Sequence, residues 1–553
     1  MDYKKLSDLL FPDVKYDIDY YLNKYKTRKL PQGAEVTRIA PSPTGYLHMG
    51  HLYGALIDYL TAYKSNGVYY IRLEDTDQKR EIKEAGQIAY DMLCKYNAKP
   101  DEGYCGNAPE IGEYGPYVQT KRLDIYHSFA KKLVEIGRAF PCFCEKSENK
   151  QDIIDRRNEQ LESSDDIETK DPCRNLTFEE IENNIKNGKP FALRLLSTGD
   201  AEKTFEFEDL IKGKRQIREN TKDIVLLKSN GIPVYAFAHL VDDTLMKTTI
   251  IVRGEEWFPS LSAHLELFDA LNLPRMKYAH TPVICKLDED GNKRKLSKRK
   301  DPEADVRYFL KNGYPVVALI EYLINLLNSD FEIWRTANPH IDYHEFDFKI
   351  TKISLNNPMF DFDKLDNVSK NIISYWTAEK VYNETLKWAE EYDEELANIL
   401  KANKSKAVSL FSVERGTERP RKDIVSFAMV KDLYSYMFDE TLDKKSLLNF
   451  NEKFDKQTIK DFLNQYKQVI NLDCDNQEWF NSVKTVAEQT GFCTNNKEYK
   501  ANPSAYKGNT ADACSILRVA VTGREQTPDL VSLLKILGKT EIENRIDYVI
   551  NNL

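Results

Sequence analysis

Arg38-Ile-Ala-Pro-Ser-Pro-Thr-Gly-Tyr-Leu-His48-Met-Gly50-His51 is the stretch whose reading decides the fold. The apolar run from Val36 to Ala40 reads as a short strand. Pro41 and Pro43 end it, because proline lacks an amide hydrogen and disfavours helix in the residue before it. From Leu52 the apolar residues Leu52, Leu56, Leu60 and Tyr63 recur at helical spacing, so a helix starts close to His51. A strand, a glycine-containing turn and a helix start aim backbone N–H groups and the positive end of the helix dipole at one point. That arrangement suits an anion, usually phosphate. The plainer alternative is that His48 and His51 only cap or pack the helix.

Working outward, Gly67–Asp75 is an apolar strand that ends in carboxylates. Helices are expected from about Arg80 to Tyr96 and from Thr120 to Gly137. This alternation predicts a parallel α/β sheet of the doubly wound, Rossmann type. Its ligands belong at the carboxyl ends of the strands, where Arg38–Ser42 and Glu74–Asp77 fall. From Pro141 to about Tyr235 the alternation is interrupted by an inserted α+β subdomain. It contains Cys142-Phe-Cys144, a charged stretch from Glu145 to Asp171, Cys173, and a hairpin signal, Ser229-Asn-Gly231, between Ile224–Lys228 and Pro233–Ala238. The pattern resumes with the apolar segments Val241–Met246 and Thr249–Val252, then a helix from about Pro259 to Leu271. Tyr278–Lys300 holds a strand, the turn Asp288–Gly291 and a run, Lys293–Lys300, in which six of eight residues are basic. After Asp305 helical patterns dominate to the end.

The 553 residues are enough for several domains, and 41% hydrophobic with 30% charged residues is an ordinary globular mixture. A net charge of −9 excludes a protein held to nucleic acid by bulk charge, so any RNA must meet local basic patches. Nine cysteines without a disulfide spacing point to a reducing, cytoplasmic location. Residues 1–30 lack the apolar core of a secretory signal. No run reaches the length of a membrane helix. Residues 1–33 read as a polar lead-in with one helix over Ile18–Tyr25.

Lys295-Leu-Ser-Lys298 lies on a loop after a sheet that already has a phosphate turn. A lysine loop of this kind can close over a triphosphate and neutralise charge on the departing pyrophosphate. Alone it would read as a solvated charge run. His48-Met-Gly50-His51 and Lys295-Leu-Ser-Lys298-Arg299 together resemble the HIGH and KMSKS signatures of class I aminoacyl-tRNA synthetases. The flanking segments Arg38–Gly45, Arg72–Asp77, Gly115–Arg122, Val241–Asp243, Val252–Trp257 and Leu517–Arg524 are similar to bacterial-type glutamyl-tRNA synthetases, and matching segments run from about residue 36 to the C-terminus. His51 departs from many bacterial members, which carry Gly or Thr there.

This resemblance implies a Rossmann-type class I catalytic domain followed by an all-α anticodon-binding half. The expected division is an N-terminal extension (1–33), the catalytic first half (34–140), an inserted acceptor-binding subdomain (141–235) and the catalytic second half (236–290). The KMSKS loop with a stem-contact domain (291–374) and a helical anticodon-binding region (375–553) would follow. It implies ATP-dependent activation of L-glutamate and its transfer to tRNA(Glu), with tRNA(Gln) also open, Mg2+ assisting, and a monomeric enzyme. Arg38 and Arg253 would receive substrate carboxylates, a task suited to the bidentate guanidinium fork. Glu74 would meet the substrate ammonium, Tyr235 would supply a hydroxyl, and Ser42 would border the amino acid. His48, Gly50, His51, Glu256, Trp257 and Lys298 would bind ATP, with His48, His51, Lys295 and Lys298 stabilising the transition state. Asp75 and Asp77 stay open between acceptor contact and packing. Arg415, Arg419 and Arg421 are candidate RNA contacts or a solvated loop.

Cys142, Cys144 and Cys173 resemble a zinc knuckle found in some members, where a histidine follows the third cysteine. None follows here, so the expectation is an empty, reduced remnant, with zinc as the alternative, because structural zinc takes four ligands. Three other identities were weighed. Glutaminyl enzymes normally carry Glu and Asn in place of Ser42 and Thr44 and have β-barrel anticodon domains. An H-x-G-H nucleotidyltransferase would be shorter and lack the lysine loop. A non-catalytic or tRNA-modifying relative would have lost the signature residues or the anticodon half.

Overall fold

The polar lead-in folds as two helices, α1 (Tyr3–Leu10) and α2 (Ile18–Lys24), where one was expected. Their starts are capped by Asp2 and Asp17, whose carboxylates accept from Lys5 N and Tyr20 N. Leu6, Leu10, Phe11, Ile18, Tyr21 and Tyr25 are buried against the helix Leu123–Glu135 and join the main core of the sheet region. Arg28 then clamps the segment. It gives Glu102 two hydrogen bonds, at 2.8 and 3.0 Å, and lies 3.9 Å over the Tyr114 ring. The lysines and aspartates of this stretch hid a one-sided apolar stripe.

β1 (Val36–Ile39) runs into the proline turn, and α3 (Met49–Ser65) begins directly after His48. Asn66, in the left-handed region at φ 54°, ends α3. At Gly67 a Cβ would meet the Glu35 carbonyl oxygen at 1.8 Å, so only glycine lets β2 (Val68–Ile71) start beside β1. β1 and β2 are parallel, Val36 with Val68 through Ile39 with Ile71. After α4 (Ala85–Lys95), β3 (Glu102–Gly103) pairs with β2. A 3-10 turn at Gln119–Arg122 leads into α5 (Leu123–Glu135).

The chain then leaves the parallel sheet. β4 (Ala139–Cys142), β5 (Ala192–Leu195) and β8 (Val225–Leu227) form an antiparallel sheet in the order β4-β5-β8. Between them lie α6 (Phe178–Lys186) and the hairpin of β6 (Thr204–Asp209) with β7 (Gly213–Arg218). The Ser229–Gly231 turn is present, with Lys228 N bonded to Ile232 O at 2.9 Å. The strand expected after it, Pro233–Ala238, is not. Tyr235–Leu245 is helix α7, which also takes in nearly all of Val241–Met246, one of the two apolar segments placed ahead of the next helix. Phe237 to Leu245 are buried without a break, so α7 shows no polar face and its helical period is erased.

β9 (Ile250–Gly254), α8 (Leu261–Ala270) and β10 (Lys277–Thr281) restore the α/β order, and β9 and β10 are parallel. Thr249 joins this pair to β1: its N–H reaches Val36 O at 2.9 Å, and its hydroxyl accepts from Val36 N at 2.7 Å. The strands therefore lie β3-β2-β1-β9-β10, with the order reversing between β1 and β9. Crevices at such a reversal, beyond the carboxyl ends of the strands, are where doubly wound sheets bind ligands. A hairpin of β11 (Cys285–Leu287) and β12 (Lys293–Lys295) follows.

This computed structural model describes residues 1–77, 82, 84–144, 171–297 and 299–553. The expected helix start at Arg80, the charged stretch to residue 170 and Lys298 lie outside the described residues. The chain forms two compact units, Met1–Tyr308 with Ile320–Asp361, and Phe309–Leu319 with Phe362–Leu553. The second is helical apart from an isolated bridge between Cys493 and Asn509. Arg415 and Arg421, read as candidate RNA contacts, both make hydrogen bonds within this unit: Arg415 donates to Phe411 O and Ile373 O, and Arg421 to Asp423 and the Tyr434 hydroxyl, while Arg421 Nη1 has no partner among the described residues. No described helix is long and apolar enough to cross a membrane.

Candidate active site

Two arginines leave the ends of the two strands at the reversal. Arg38, from β1, is 3% exposed and Arg253, from β9, is 7% exposed. Arg38 donates through Nε to Asp243 at 3.2 Å and through Nη1 to Val252 O at 3.2 Å. Asp243, on α7, also receives Arg72 Nη1 at 2.7 Å, the Thr248 hydroxyl and the Tyr70 hydroxyl. Its neighbour Asp242 receives Arg122 Nε at 2.7 Å and the Tyr126 hydroxyl. Arg72 Nη2 reaches Glu74 at 2.9 Å. Three guanidinium groups thus face three carboxylates. Burial pushes the Asp58 carboxyl well above its usual range. Burial opposes the charge on Arg38, but Asp243, with smaller contributions from Tyr235 and Asp58, outweighs it and the pKa of Arg38 rises above its ordinary value.

Arg253 meets no carboxylate among the described residues. Its Nε donates to His280 Nε2 at 3.0 Å and its Nη1 to His264 Nδ1 at 2.9 Å. Arginine only donates, so both imidazoles must offer a lone pair and be neutral. Burial depresses both histidines, strengthened at His264 by the Arg253 charge. The third nitrogen, Nη2, is buried and has no hydrogen-bond partner among the described residues. An orphaned charged donor costs several kcal/mol until something accepts from it.

Between the two arginines stands an aromatic stack. Tyr235 lies parallel to His239 with centroids 5.6 Å apart, meets Trp257 at 4.4 Å and His264 at 5.9 Å. Its hydroxyl makes no hydrogen bond to a described residue. His239 Nδ1 bonds to Asp243, and its Nε2 accepts from the Tyr278 hydroxyl at 3.1 Å. Burial lowers its pKa to about 4 despite Asp243. Glu74 N is held by Pro41 O at 3.0 Å, which ties the proline turn to the end of β2 beside Ser42.

At the helix start, His48 is the N-cap of α3. Its Nδ1 accepts from Gly50 N at 2.9 Å, which leaves the proton on Nε2. The amides of His51 and Leu52 also bond back to His48 O. Fewer backbone N–H groups are open than a strand–turn–helix implies, so anion affinity here falls to the side chains. The His48 and His51 rings are 6.3 Å apart. Lys295, at the end of β12, donates to Glu256 at 2.9 Å. Burial would raise the Glu256 carboxyl, but the Lys295 bond and the charges of Lys295 and His51 hold it below its ordinary value. The structure therefore gathers His51, Glu256 and Lys295, and separately Arg38, Glu74, Tyr235, Trp257 and Arg253. Asp75 is a packing residue: it accepts from Thr120 N at 2.9 Å and from the Thr120 hydroxyl.

Reading the sequence missed Asp209, His239, His264, His280 and Asp243 as site residues. The signal was available in outline, since three of the eight histidines fall in apolar segments of the α/β region. It also missed the fourth donor of the cysteine cluster. Ligand atoms of Cys142, Cys144, Asp171 and Cys173 lie within 4.8 Å of one another. Asp171 precedes the third cysteine, where a search for a following histidine does not look. Three sulfurs and a carboxylate oxygen make the four donors structural zinc takes, and the set is compatible with zinc.

Residues 35–366 match the family model for the catalytic domain of class I tRNA synthetases (E and Q), and residues 506–550 match an anticodon binding domain. A glutamate–tRNA ligase of Acetivibrio thermocellus is 42% identical over 558 residues, 100% of both chains. One of Clostridium beijerinckii is 41% identical over 554 residues, again 100% of both. A glutamate tRNA ligase from Elizabethkingia meningosepticum, solved in complex with its amino acid, shares the fold: TM-score 0.72, covering 94% of this chain and 99% of that one, at 23% identity. By the family model over residues 35–366 and by full-length relatives at this identity, the chain belongs to the glutamate–tRNA ligases among the class I tRNA synthetases.

Proposed function

We propose that this enzyme activates L-glutamate with ATP and transfers it to the 3′ end of tRNA(Glu), acting as a cytoplasmic monomer. The observation that carries the reading is Arg253, a buried guanidinium whose charge no described carboxylate balances and whose Nη2 awaits an acceptor. The α-carboxylate of glutamate is the nucleophile and must stay free, so Arg253 takes the side-chain carboxylate. Arg38, Ser42 and the Tyr235 hydroxyl border the same molecule, and Glu74 faces its ammonium.

An α-carboxylate oxygen attacks the α-phosphorus of ATP, the bond to the β-phosphate oxygen breaks, and pyrophosphate leaves. The His48 and His51 side chains meet the phosphates from one side, and Gly50, without a side chain, lets them approach the helix start. Glu256, Trp257 and Lys295 close the other, and Lys295 and, by the family signature, Lys298 meet charge as it moves to the leaving group. Mg2+ would share that charge when bound. The terminal 2′-hydroxyl of tRNA then attacks the adenylate carbonyl and AMP departs. No protein nucleophile takes part, so catalysis rests on positioning and electrostatics. Cys142, Cys144, Asp171 and Cys173 would hold zinc as a structural ion. Asp171→Ala should then lower the zinc copurifying with the protein, and unchanged metal content would remove Asp171 from the set.

Charging purified tRNA(Glu) and tRNA(Gln) with labelled glutamate, and in parallel with labelled glutamine, tests the function. Glutamate should be esterified to tRNA(Glu) and glutamine to neither. A neutral carboxamide would leave the Arg253 charge buried and unbalanced. Efficient charging with glutamine would overturn the assignment.

A further inference from the structure

We propose that Asp209 and His280, assisted by His264, are positioning residues that fix the guanidinium of Arg253 so that only Nη2 faces the substrate. The inference rests on the assignment of Arg253 to the glutamate side chain.

The hydrogen bonds dictate a direction at every link. Arg253 Nε donates to His280 Nε2, so the His280 proton sits on Nδ1. That N–H is 2.6 Å from Asp209 Oδ2 and donates to it. Asp209 is itself held from three further sides: by the amides of Ile211 and Lys212 at 2.9 and 2.8 Å, and by the backbone amide of His280 at 3.2 Å. On the other edge of the guanidinium, Nη1 donates to His264 Nδ1 at 2.9 Å. The Tyr278 ring covers the group, 4.9 Å from Cζ, and stacks on His280 with only 7° between planes. Two hydrogen bonds and one covered face leave the guanidinium a single orientation, and Nη2 is the nitrogen left without a partner among the described residues.

Neutral imidazoles suit this task better than carboxylates would. A carboxylate on Nε or Nη1 would hold the group as firmly but would also cancel its charge, as Asp243 does for Arg38. His280 instead accepts from Arg253 without a charge and passes its own hydrogen bond to Asp209, one residue further away. Asp209 ends strand β6 of the hairpin in the inserted subdomain, so the insertion contributes directly to the order of the amino-acid pocket. Leu210 N, bonded to Tyr278 O at 2.9 Å, ties the hairpin to β10 beside it.

The test uses the full-length enzyme with tRNA(Glu) present, measuring KM for glutamate, KM for ATP and kcat in pyrophosphate exchange. His280→Leu removes the acceptor and should raise the glutamate KM at least tenfold while the ATP KM stays within twofold. His280→Gln, which can accept from Arg253 and donate to Asp209, should recover most of that loss. Asp209→Asn, nearly the same shape, should raise the glutamate KM about threefold, and it decides the question if His280→Leu does not fold. In an Arg253→Met background, His280→Leu should add less than twofold, because its effect passes through Arg253. Equal changes in both KM values, or full additivity in the double variant, would reduce His280 to a packing residue and overturn the inference. If Arg253→Met alone leaves the glutamate KM unchanged, the underlying assignment of Arg253 fails instead.

Discussion

Arg38 and Arg253 emerge from neighbouring parallel strands, are buried to a similar degree and point toward the same crevice, yet they are solvated by opposite means. Arg38 belongs to a balanced cluster: Asp243 neutralises it, Arg72 and Arg122 complete the set, and Asp242 and Glu74 supply the remaining charge. Among the described residues Arg253 is hydrogen-bonded to neutral imidazoles and to no carboxylate, and its Nη2 has no partner. The first arrangement is stable without a ligand. The second is complete only when an anion arrives. Side by side, they show how a fold can hold one buried guanidinium as structure and leave its neighbour as a receptor.

The sharpest way to break the comparison is to remove each arginine in turn. Arg38→Met should cost roughly 3–5 kcal/mol of stability, because it leaves Asp243 short of a partner in a fully buried cluster; the urea midpoint of the sheet-bearing unit reads this. Arg253→Met strands no carboxylate and should change that midpoint little. It should instead lower kcat/KM for glutamate by about three orders of magnitude, roughly 4 kcal/mol of lost interaction. Equal stability losses in the two variants would erase the distinction.

His239, which links Asp243 to the Tyr278 hydroxyl, sharpens it. His239 is neutral in the folded state with a pKa of about 4, pushed down by burial. Unfolded, it titrates near its ordinary value of 6.5. Between those values the unfolded chain binds a proton that the folded one refuses, so stability falls as pH drops from about 6.5 toward 4, by up to roughly 3 kcal/mol. His264 and His280 are shifted in the same direction and add to the slope. His239→Gln should flatten the urea midpoint between pH 7 and pH 4.5, and an unaltered slope would show that His239 is not the titrating group. The smallest effect belongs to Tyr278→Phe, which removes the hydroxyl donated to His239 and should cost about 1 kcal/mol, read in the same titration.

The sequence carried the strand–proline–helix unit, the parallel sheet, the inserted subdomain and the helical second half, because periodicity and punctuation are local. It also carried Arg38, Glu74, Tyr235 and Arg253 through resemblance to a family. What it did not carry was their difference. Asp243 lies 205 residues from Arg38 and Asp209 lies 71 from His280, so neither pairing leaves a trace in local spacing. Helix α7 was misread for a related reason: a helix buried on every face has no polar side to set its period. Asp171 was missed because metal motifs are searched in one direction along the chain.

The central claim is that Arg253 is the unbalanced charge glutamate completes, and calorimetric titration of L-glutamate and L-glutamine into the enzyme, with tRNA(Glu) present, tests it most directly. Wild type should bind glutamate at least tenfold more tightly than glutamine, and Arg253→Met should lose that preference. An Arg253→Met enzyme that binds glutamate as tightly as wild type, and still prefers it over glutamine, would contradict the account.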